Sequence, residues 1–215
     1  MLDEIVQADS DSPLVMKDGN RSLIAEQFRS LRTNLGYYPT AIPNKSRVLV
    51  SSSIPGEGKS FISTNLAISY SLTGQKTVLI ESDLRKPNVA KHFELGKRMG
   101  LSNYLSGNVA LEDVIFETGM ENLYLIPSGP IPPNPAELIM GSSRYKDLLD
   151  ALLEKYDRVV VDCPPIGLVT DAQLLCPWVD VSLFVCRQDH TPKMALANLL
   201  NPLYESGKFG RMGLV

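Results

Sequence analysis

An eight-residue loop between two apolar segments constrains the fold of this chain more than any other feature. It reads Ser-Ile-Pro-Gly-Glu-Gly-Lys-Ser over residues 53–60, follows the short apolar run 47–50 and opens an amphipathic stretch over 59–72. Gly56 and Gly58 let backbone N–H groups turn towards phosphate oxygens, because no Cβ stands in the way. Strand, glycine loop and helix in this order predict an α/β fold that binds a nucleotide triphosphate.

The end of this loop supplies the groups that a phosphate chain requires. A helix starting near Lys59 directs its positive end at the anion. Lys59 is predicted to reach the β- and γ-phosphates, and the Ser60 hydroxyl is predicted to ligate Mg²⁺. Ser53 departs from the Walker A pattern, since it stands where the first glycine usually lies, and a plain glycine-rich turn is the alternative interpretation. The predicted nucleotide-binding residues are Pro55, Gly56, Glu57, Gly58, Lys59, Ser60 and Phe61.

Acidic residues after two apolar runs complete the predicted metal site. The run 159–161 leads into Asp162, a Walker B pattern that places this carboxylate at the C-terminal edge of the sheet, on Mg²⁺ or on its water. The alternative is a strand-ending Asp that caps the next turn. Glu81 and Asp83 follow the run 78–80 at alternate positions, so extended geometry would turn both the same way. Asp83 is the predicted base, and Glu81 a second carboxylate for metal-bound water or proton transfer.

These patterns define two overlapping sets of residues. The predicted catalytic residues are Lys59, Glu81, Asp83 and Asp162. The predicted metal ligands are Ser60, Asp83 and Asp162.

Two further groups of charged residues lie outside the phosphate loop. Arg85 and Lys86 are predicted to contact phosphate or a neighbouring subunit, with solvated loop cations as the alternative. Glu26, Arg29 and Arg32 recur every three residues in a helical pattern and therefore share one face. Taken by themselves, these three residues favour a row of salt bridges within the helix, which contributes little stability.

The composition excludes several classes of protein. The chain has 215 residues, 44% of them hydrophobic and 21% charged, with a net charge of −3. These values are typical of one globular domain and do not favour nucleic acid as a partner. No apolar run reaches the roughly 18 residues of a membrane span. The cysteines lack metal or disulfide spacing and are predicted to be buried free thiols of a reducing cytosol: Cys163, Cys176 and Cys186.

Strand and helix patterns alternate along the chain. Nearly continuous apolar strands predict a three-layer α/β sandwich with a mostly parallel central sheet, as in P-loop NTPases. Residues 1–20 are acidic and polar and predict a linker or loosely held arm before a P-loop domain over 21–215. The segment 211–215 has the pattern of a further strand, and we expect a truncated chain here in preference to a short edge strand. Predicted strands are 47–50, 77–80, 123–126, 158–161 and 181–186, and predicted helices are 22–35, 59–72, 143–155 and 193–205.

Taken together, the motifs resemble those of the bacterial tyrosine kinases, or BY-kinases. These are the cytoplasmic autokinases of capsule and exopolysaccharide assembly, built on a P-loop fold of the MinD and ParA type. The matching motifs are 53–60, 79–87 and 159–165, and the Asp-Leu-Arg-Lys-Pro sequence within the second is the most diagnostic. The resemblance extends to the Glu-x-x-Arg-x-x-Arg pattern at 26–32 and to 134–138.

This resemblance implies ATP as phosphate donor and a tyrosine of a neighbouring subunit as acceptor. It places Glu26, Arg29 and Arg32 at contacts within a homo-oligomeric ring. It also implies a membrane activator of the polysaccharide copolymerase type, fused or separate, which would hold the domain at the inner face of the cell membrane. A cognate tyrosine phosphatase is a further implied partner.

Three residues depart from the patterns of related families. Glu81 replaces the usual Asp of the second motif, and Tyr204 is the only tyrosine after residue 165, whereas BY-kinases end in a tyrosine-rich tail. Ile54 stands where MinD-type ATPases carry a second lysine, which counts against a partition ATPase. We therefore interpret the chain as an autokinase domain truncated before its tail. The alternatives are a nucleotide-driven ATPase switch and a scaffold that nucleotide only stabilises.

Overall fold

The computed structural model describes residues 2–6, 12–38, 44–141, 143–207 and 211–215. The strands are β1 Ser46–Ser52, β2 Thr77–Glu81, β3 Phe116–Glu117, β4 Leu123–Ile126, β5 Arg158–Asp162, β6 Val181–Val185 and β7 Arg211–Leu214. The helices are α1 Leu23–Gly36, α2 Lys59–Ser71, α3 Val89–His92, α4 Leu101–Leu105, α5 Pro135–Met140, α6 Arg144–Lys155, α7 Asp171–Leu175 and α8 Lys193–Glu205.

The strands form one sheet in the order β3-β4-β2-β5-β1-β6-β7. All neighbouring pairs are parallel except β3 with β4, so the predicted mostly parallel sheet is confirmed. Strand β5 lies between β1 and β2, with Asp162 in register with Val50 on one side and Glu81 on the other. The ends of these three strands therefore meet at one edge, where α/β sheets place their ligands.

Both faces of the sheet are covered, which confirms the three-layer sandwich. Val48 and Val50 of β1 face a core that includes Phe28 of α1 and Leu66 of α2. The residue between them, Leu49, turns to the opposite core, formed largely with α6. Because successive strand residues point to opposite faces, a strand buried on both sides must be apolar at every position, as the sequence shows.

Several short helices and one short strand are not predicted from the sequence. The segment 84–122, which has no regular periodicity, contains α3, α4 and β3, and α5 and α7 are also unpredicted. Each spans six residues or fewer, too little for a helical period to repeat. The segment 211–215 contains β7, a parallel edge strand beside β6. Among the described residues, no helix combines the length and apolarity needed to cross a membrane.

Part of the expected N-terminal arm is packed firmly against α2. The buried Asn65 side chain accepts hydrogen bonds from the N–H groups of Val15 and Met16 at 2.9 and 3.1 Å. Its amide nitrogen donates to the carbonyl oxygens of Pro13 and Phe61, both at 2.9 Å. Met16 is fully buried, so this part of the arm belongs to the core. Within the arm, residues 1 and 7–11 lie outside the described residues.

We predict that Asn65→Ala lowers the free energy of unfolding by about 3 kcal/mol, because it leaves several buried backbone N–H and C=O groups without hydrogen-bond partners. Urea denaturation followed by circular dichroism measures the change. Asn201→Ala, at an exposed position of α8, is the matched control and should change stability by less than about 0.5 kcal/mol. Equal stability of the two variants would show that the arm is not held through Asn65.

Candidate active site

The glycine loop between β1 and α2 forms an open cradle. Gly56 and Gly58 have φ values of +83° and +96°, which L side chains rarely adopt. Gly58 is the N-cap of α2, and a Cβ built on it would meet nothing within 4 Å. The space beside Gly58 is therefore open, at a helix N-terminus whose N–H groups and positive end favour an anion such as a phosphate group.

Glu57, predicted to bind nucleotide, instead turns its carboxylate into the loop. The carboxylate accepts hydrogen bonds from the Ser53 hydroxyl and the Ile54 N–H, both at 2.8 Å, and from the Thr191 hydroxyl. The residue is only 4% exposed. This contact explains the departure at Ser53, since a glycine there has no hydroxyl to donate. Glu57 shapes the cradle and leaves only its main chain for a ligand.

The loop after β6 supports the outer side of the cradle. His190 Nε2 lies 3.0 Å from the Pro55 carbonyl oxygen, and an Arg187 side-chain nitrogen donates to the Gly56 carbonyl oxygen at 3.3 Å. Together with Thr191, these residues fix the main chain of the cradle. The sequence gives no signal for them, because they lie more than 130 positions from the glycine loop.

Four predicted residues meet at the edge where β1, β2 and β5 end. Lys59 Nζ lies 2.8 Å from Asp83 Oδ2 and 4.0 Å from Asp162 Oδ2. The Ser60 hydroxyl donates to Asp162 at 2.8 Å, and the Ser63 hydroxyl, which was not predicted, donates to the other Asp162 oxygen at 3.1 Å. The structure thus brings together the cation, the hydroxyl and the two carboxylates that the sequence predicted.

Burial and ion pairing act in opposite directions on the two carboxylates. Burial raises the pKa of Asp162 to about 6, although Lys59 and the two serine hydroxyls oppose the rise. Burial also pushes the pKa of Asp83 upward, but the adjacent Lys59 outweighs it and lowers that pKa. For Lys59, burial would lower the pKa, yet the two carboxylates together raise it. Lys59 and Asp83 are therefore a charged pair, while Asp162 lacks full compensation for its buried charge.

Glu81, a predicted catalytic residue, is placed elsewhere. Its carboxylate accepts from the N–H groups of Val89 and Ala90 at the start of α3 and from Ser128 N–H at 3.0 Å, and it is 1% exposed. The expectation failed because β2 ends at Glu81, so its alternation does not continue to Asp83. Glu81 joins α3 to the end of β4, and the geometry does not support a role at the metal or in proton transfer.

The two cations of the second motif differ from each other. Arg85 forms a two-pronged ion pair with the fully buried Asp171 at the start of α7, at 3.0 and 3.2 Å. This pair raises the pKa of Arg85 and gives its side chain a partner within the chain, so Arg85 is not a solvated loop cation, and its contact with phosphate or a neighbouring subunit stays a prediction. Lys86 is exposed, and no ion pair to it is found in the described ranges. Beside Arg85 lies an open cleft of about 390 Å³ lined by Gln173 and residues 166–170.

The predicted interface face of α1 is partly used within the chain. Arg29 pairs with Glu26 and donates to the Asn20 carbonyl oxygen at 2.6 Å. Arg32 donates to the carbonyl oxygen and hydroxyl of Ser69 in α2, at 2.6 and 3.1 Å. Arg32 thus holds the C-terminal end of α2, and a role of this face between subunits stays a prediction.

The described residues fit a metal that binds together with phosphate. They contain no group of three or more His, Cys, Asp or Glu side chains that could hold a metal alone. Mg²⁺ commonly takes one or two carboxylates and completes its shell with phosphate oxygens and water, for which Ser60 and Asp162 suffice. The Phe61 ring packs on the buried ring of Phe28, with the two ring centroids 5.7 Å apart. The cysteines are free, as predicted, and only Cys186 is partly exposed.

Comparison with known proteins decides the family. Residues 47–201 match the model of an AAA domain. Tyrosine-protein kinase YwqD of Bacillus subtilis is 40% identical over 173 residues, which are 80% of this chain and 72% of that protein. The chain belongs to the bacterial tyrosine kinase family. Its structure is similar to that of the chimerical protein CapA2B2, with a TM-score of 0.89 and 33% identity over all of this kinase chain and 92% of the other.

A second solved structure agrees with this assignment. The kinase domain of the Escherichia coli tyrosine kinase ETK superposes with a TM-score of 0.85 and 31% identity, covering 92% of this kinase chain and 76% of that one. The resemblance drawn from the three motifs is therefore confirmed at the level of family and fold.

We predict that Asp162→Asn stabilises the kinase free of nucleotide and metal. The folded pKa of Asp162, about 6, lies above the ordinary value of 3.8, so its contribution to stability falls as pH rises between these values and stays reduced above them. The variant should gain about 2 kcal/mol in free energy of unfolding at pH 7.5 and nothing at pH 4. Urea denaturation at both pH values, with Asp18→Asn at an exposed position as the control, measures this. A variant less stable than wild type at pH 7.5 contradicts the prediction.

Glu81→Gln should act on stability and spare nucleotide affinity. The amide would face a backbone N–H with its own NH₂ group, which costs about 2 kcal/mol in free energy of unfolding. Thermal denaturation and calorimetric titration with Mg-ATP separate the two effects. The exposed Glu121→Gln is the control. Unchanged stability combined with a loss of Mg-ATP affinity would contradict this prediction and indicate that Glu81 acts at the metal site.

Proposed function

We propose that this chain is the catalytic domain of an ATP- and Mg²⁺-dependent protein-tyrosine autokinase that regulates the chain length and export of capsule or exopolysaccharide. The observation that carries the proposal is the group of Lys59, Ser60, Asp83 and Asp162 beside an open glycine cradle, in a chain of the tyrosine kinase family. Family membership supports tyrosine as the acceptor, and the cradle supports a nucleotide as the donor.

Each residue has a distinct part in this proposal. The loop amides and Lys59 stabilise the negative charge on the transferred phosphoryl group. Ser60 and Asp162 would hold Mg²⁺, with Asp83 as a further ligand directly or through water; the bound ion would supply charge neutralisation between the phosphates. Lys59 exchanges its partner Asp83 for phosphate oxygens, which frees Asp83 Oδ2 for a new hydrogen bond.

Asp83 then accepts the proton of the acceptor tyrosine hydroxyl. In the nucleotide-free site Lys59 lowers the pKa of Asp83, so this carboxylate is ionised there, and it becomes a stronger base once Lys59 turns to the phosphates. The phenolic oxygen forms its bond to the γ-phosphorus as the bond to the β-phosphate oxygen breaks, and ADP leaves. Main-chain N–H groups of Arg85 and Lys86 hold the other Asp83 oxygen at 3.2 and 2.9 Å, so the base is oriented before the acceptor arrives.

Assembly is part of the proposal. The acceptor tyrosine belongs to a neighbouring subunit of a homo-oligomeric ring, with Glu26 and Arg29 at the contact and Arg32 supporting the helix from within. A membrane activator of the polysaccharide copolymerase type places the domain at the inner face of the cell membrane, and a cognate phosphatase reverses the modification. The support for these partners is the likeness to the tyrosine kinase family.

Lys59→Met should lower the rate of tyrosine phosphorylation by at least about a hundredfold, because it removes the main cation at the phosphates. Radiolabelled ATP with a tyrosine peptide, followed by a phosphotyrosine blot, measures the loss. Lys155→Met, on an exposed surface lysine, is the control and should retain the wild-type rate. Unchanged labelling in Lys59→Met contradicts the proposed site. Phosphate release by wild type without any phosphotyrosine would favour the ATPase switch.

A further inference from the structure

A strongly cationic surface begins at the active-site edge. Residues 85–98 contain five Lys or Arg residues and one acid, Glu94, although the chain as a whole carries −3. The exposed cations define what we call the 86–98 surface: Lys86, Lys91, Lys97 and Arg98. The proposed mechanism does not use any of these side chains.

Packing fixes these cations outward. Val89 and Phe93 of the α3 region are buried in the core, which leaves Lys91 between them on the solvent side. Arg98 donates from Nε to the Leu95 carbonyl oxygen at 2.9 Å, and its guanidinium lies 4.8 Å from the centre of the Phe116 ring. The positive charge is therefore held in a defined position by cation–π stacking.

The charge of this surface is not neutralised within the part of the chain that the structure describes. No carboxylate lies within 4.0 Å of the ammonium groups of Lys86, Lys91 or Lys97 there. Exposed lysines on α6 differ, since Lys146 and Lys155 each pair with a carboxylate at 2.7 and 2.8 Å. Unpaired like charges repel each other, so an external anionic partner would relieve that repulsion.

The surface is tied to the proposed base at its first residue. Asp83 accepts the N–H of Lys86 at 2.9 Å, and Glu81 accepts the N–H groups that begin α3. The end of β2 therefore positions both the base and the start of the cationic surface. An extended peptide advances about 3.3 Å per residue, so the residues that flank a tyrosine bound at Asp83 would reach the start of this surface at Lys86.

We propose that the 86–98 surface docks an acidic peptide segment that carries the acceptor tyrosine. This inference rests on the proposed kinase function and adds a substrate class to it: tyrosines flanked by Asp or Glu. The location beside the base favours a peptide substrate over an anionic lipid surface, which a test can exclude. Charge complementarity of this kind selects partners and speeds their encounter.

The test compares two fluorescent peptides of equal length, one with a tyrosine flanked by glutamates and one with the same tyrosine flanked by glutamines. Anisotropy titration of the intact protein should show about tenfold tighter binding of the glutamate peptide at low ionic strength, and the difference should shrink in 1 M salt. The double variant Lys91→Glu/Lys97→Glu should lose this preference. Lys146→Glu/Lys155→Glu changes the charge equally and should keep it.

Equal binding of both peptides by wild type overturns the docking surface, as does an equal loss in both double variants. Displacement of the glutamate peptide by phosphatidylglycerol vesicles, but not by phosphatidylcholine vesicles, with the same dependence on Lys91 and Lys97, would assign the surface to a membrane and overturn a peptide site. Kinetics then separate the two proposals. Transfer of phosphate to both peptides with equal KM overturns docking alone, whereas selective binding without any transfer supports docking and overturns the kinase function.

Discussion

The pairing of Lys59 with Asp83 is the interaction on which the rest of the site depends. It joins the first residue of α2 to the segment just after β2, across the end of β5, at 2.8 Å. The strand order places these three chain ends side by side, so the pair can form only in the folded sheet. The pair also keeps the lysine beside the cradle when no phosphate is bound. In the proposed mechanism a phosphate chain is a stronger counterion for Lys59, and the exchange would free the Asp83 carboxylate to act as a base.

Rigidity of the cradle comes from a second set of contacts behind it. The inward carboxylate of Glu57 holds the loop to Ser53, Ile54 and Thr191, while His190 lies against the Pro55 carbonyl. Donors that are already oriented need little reorganisation when charge develops in the transition state, which is why a fixed loop accelerates phosphoryl transfer. In the proposed function, contacts behind the loop would therefore determine where the phosphates of the nucleotide lie.

The sequence predicts this site well where a residue type and its place after a strand define the geometry. Lys59, Ser60 and Asp162 follow strand ends and meet as expected, because parallel strands deliver their C-terminal ends to one edge. Glu81 was misassigned since its orientation depends on where β2 stops, which the pattern does not mark. Thr191 and His190 contact the loop only through tertiary folding, and α3 is too short to show a period. Local sequence patterns therefore predict the side chains that form the site, but they do not predict the distant residues that hold the loop in place.

Two acidic residues at the end of β2 have different roles, one structural and one proposed to be chemical. Glu81 is buried, and both of its carboxylate oxygens accept hydrogen bonds from main-chain N–H groups, at the start of α3 and after the end of β4. Asp83 accepts main-chain N–H groups on one oxygen only, and its other oxygen accepts a hydrogen bond from the Lys59 ammonium. Because a carboxylate with all its acceptor positions filled cannot take a proton without losing hydrogen bonds, Asp83 is the one suited to exchange partners. Glu81 instead fixes the start of the helix that presents the cationic surface, so the base and the surface keep a constant relation to each other.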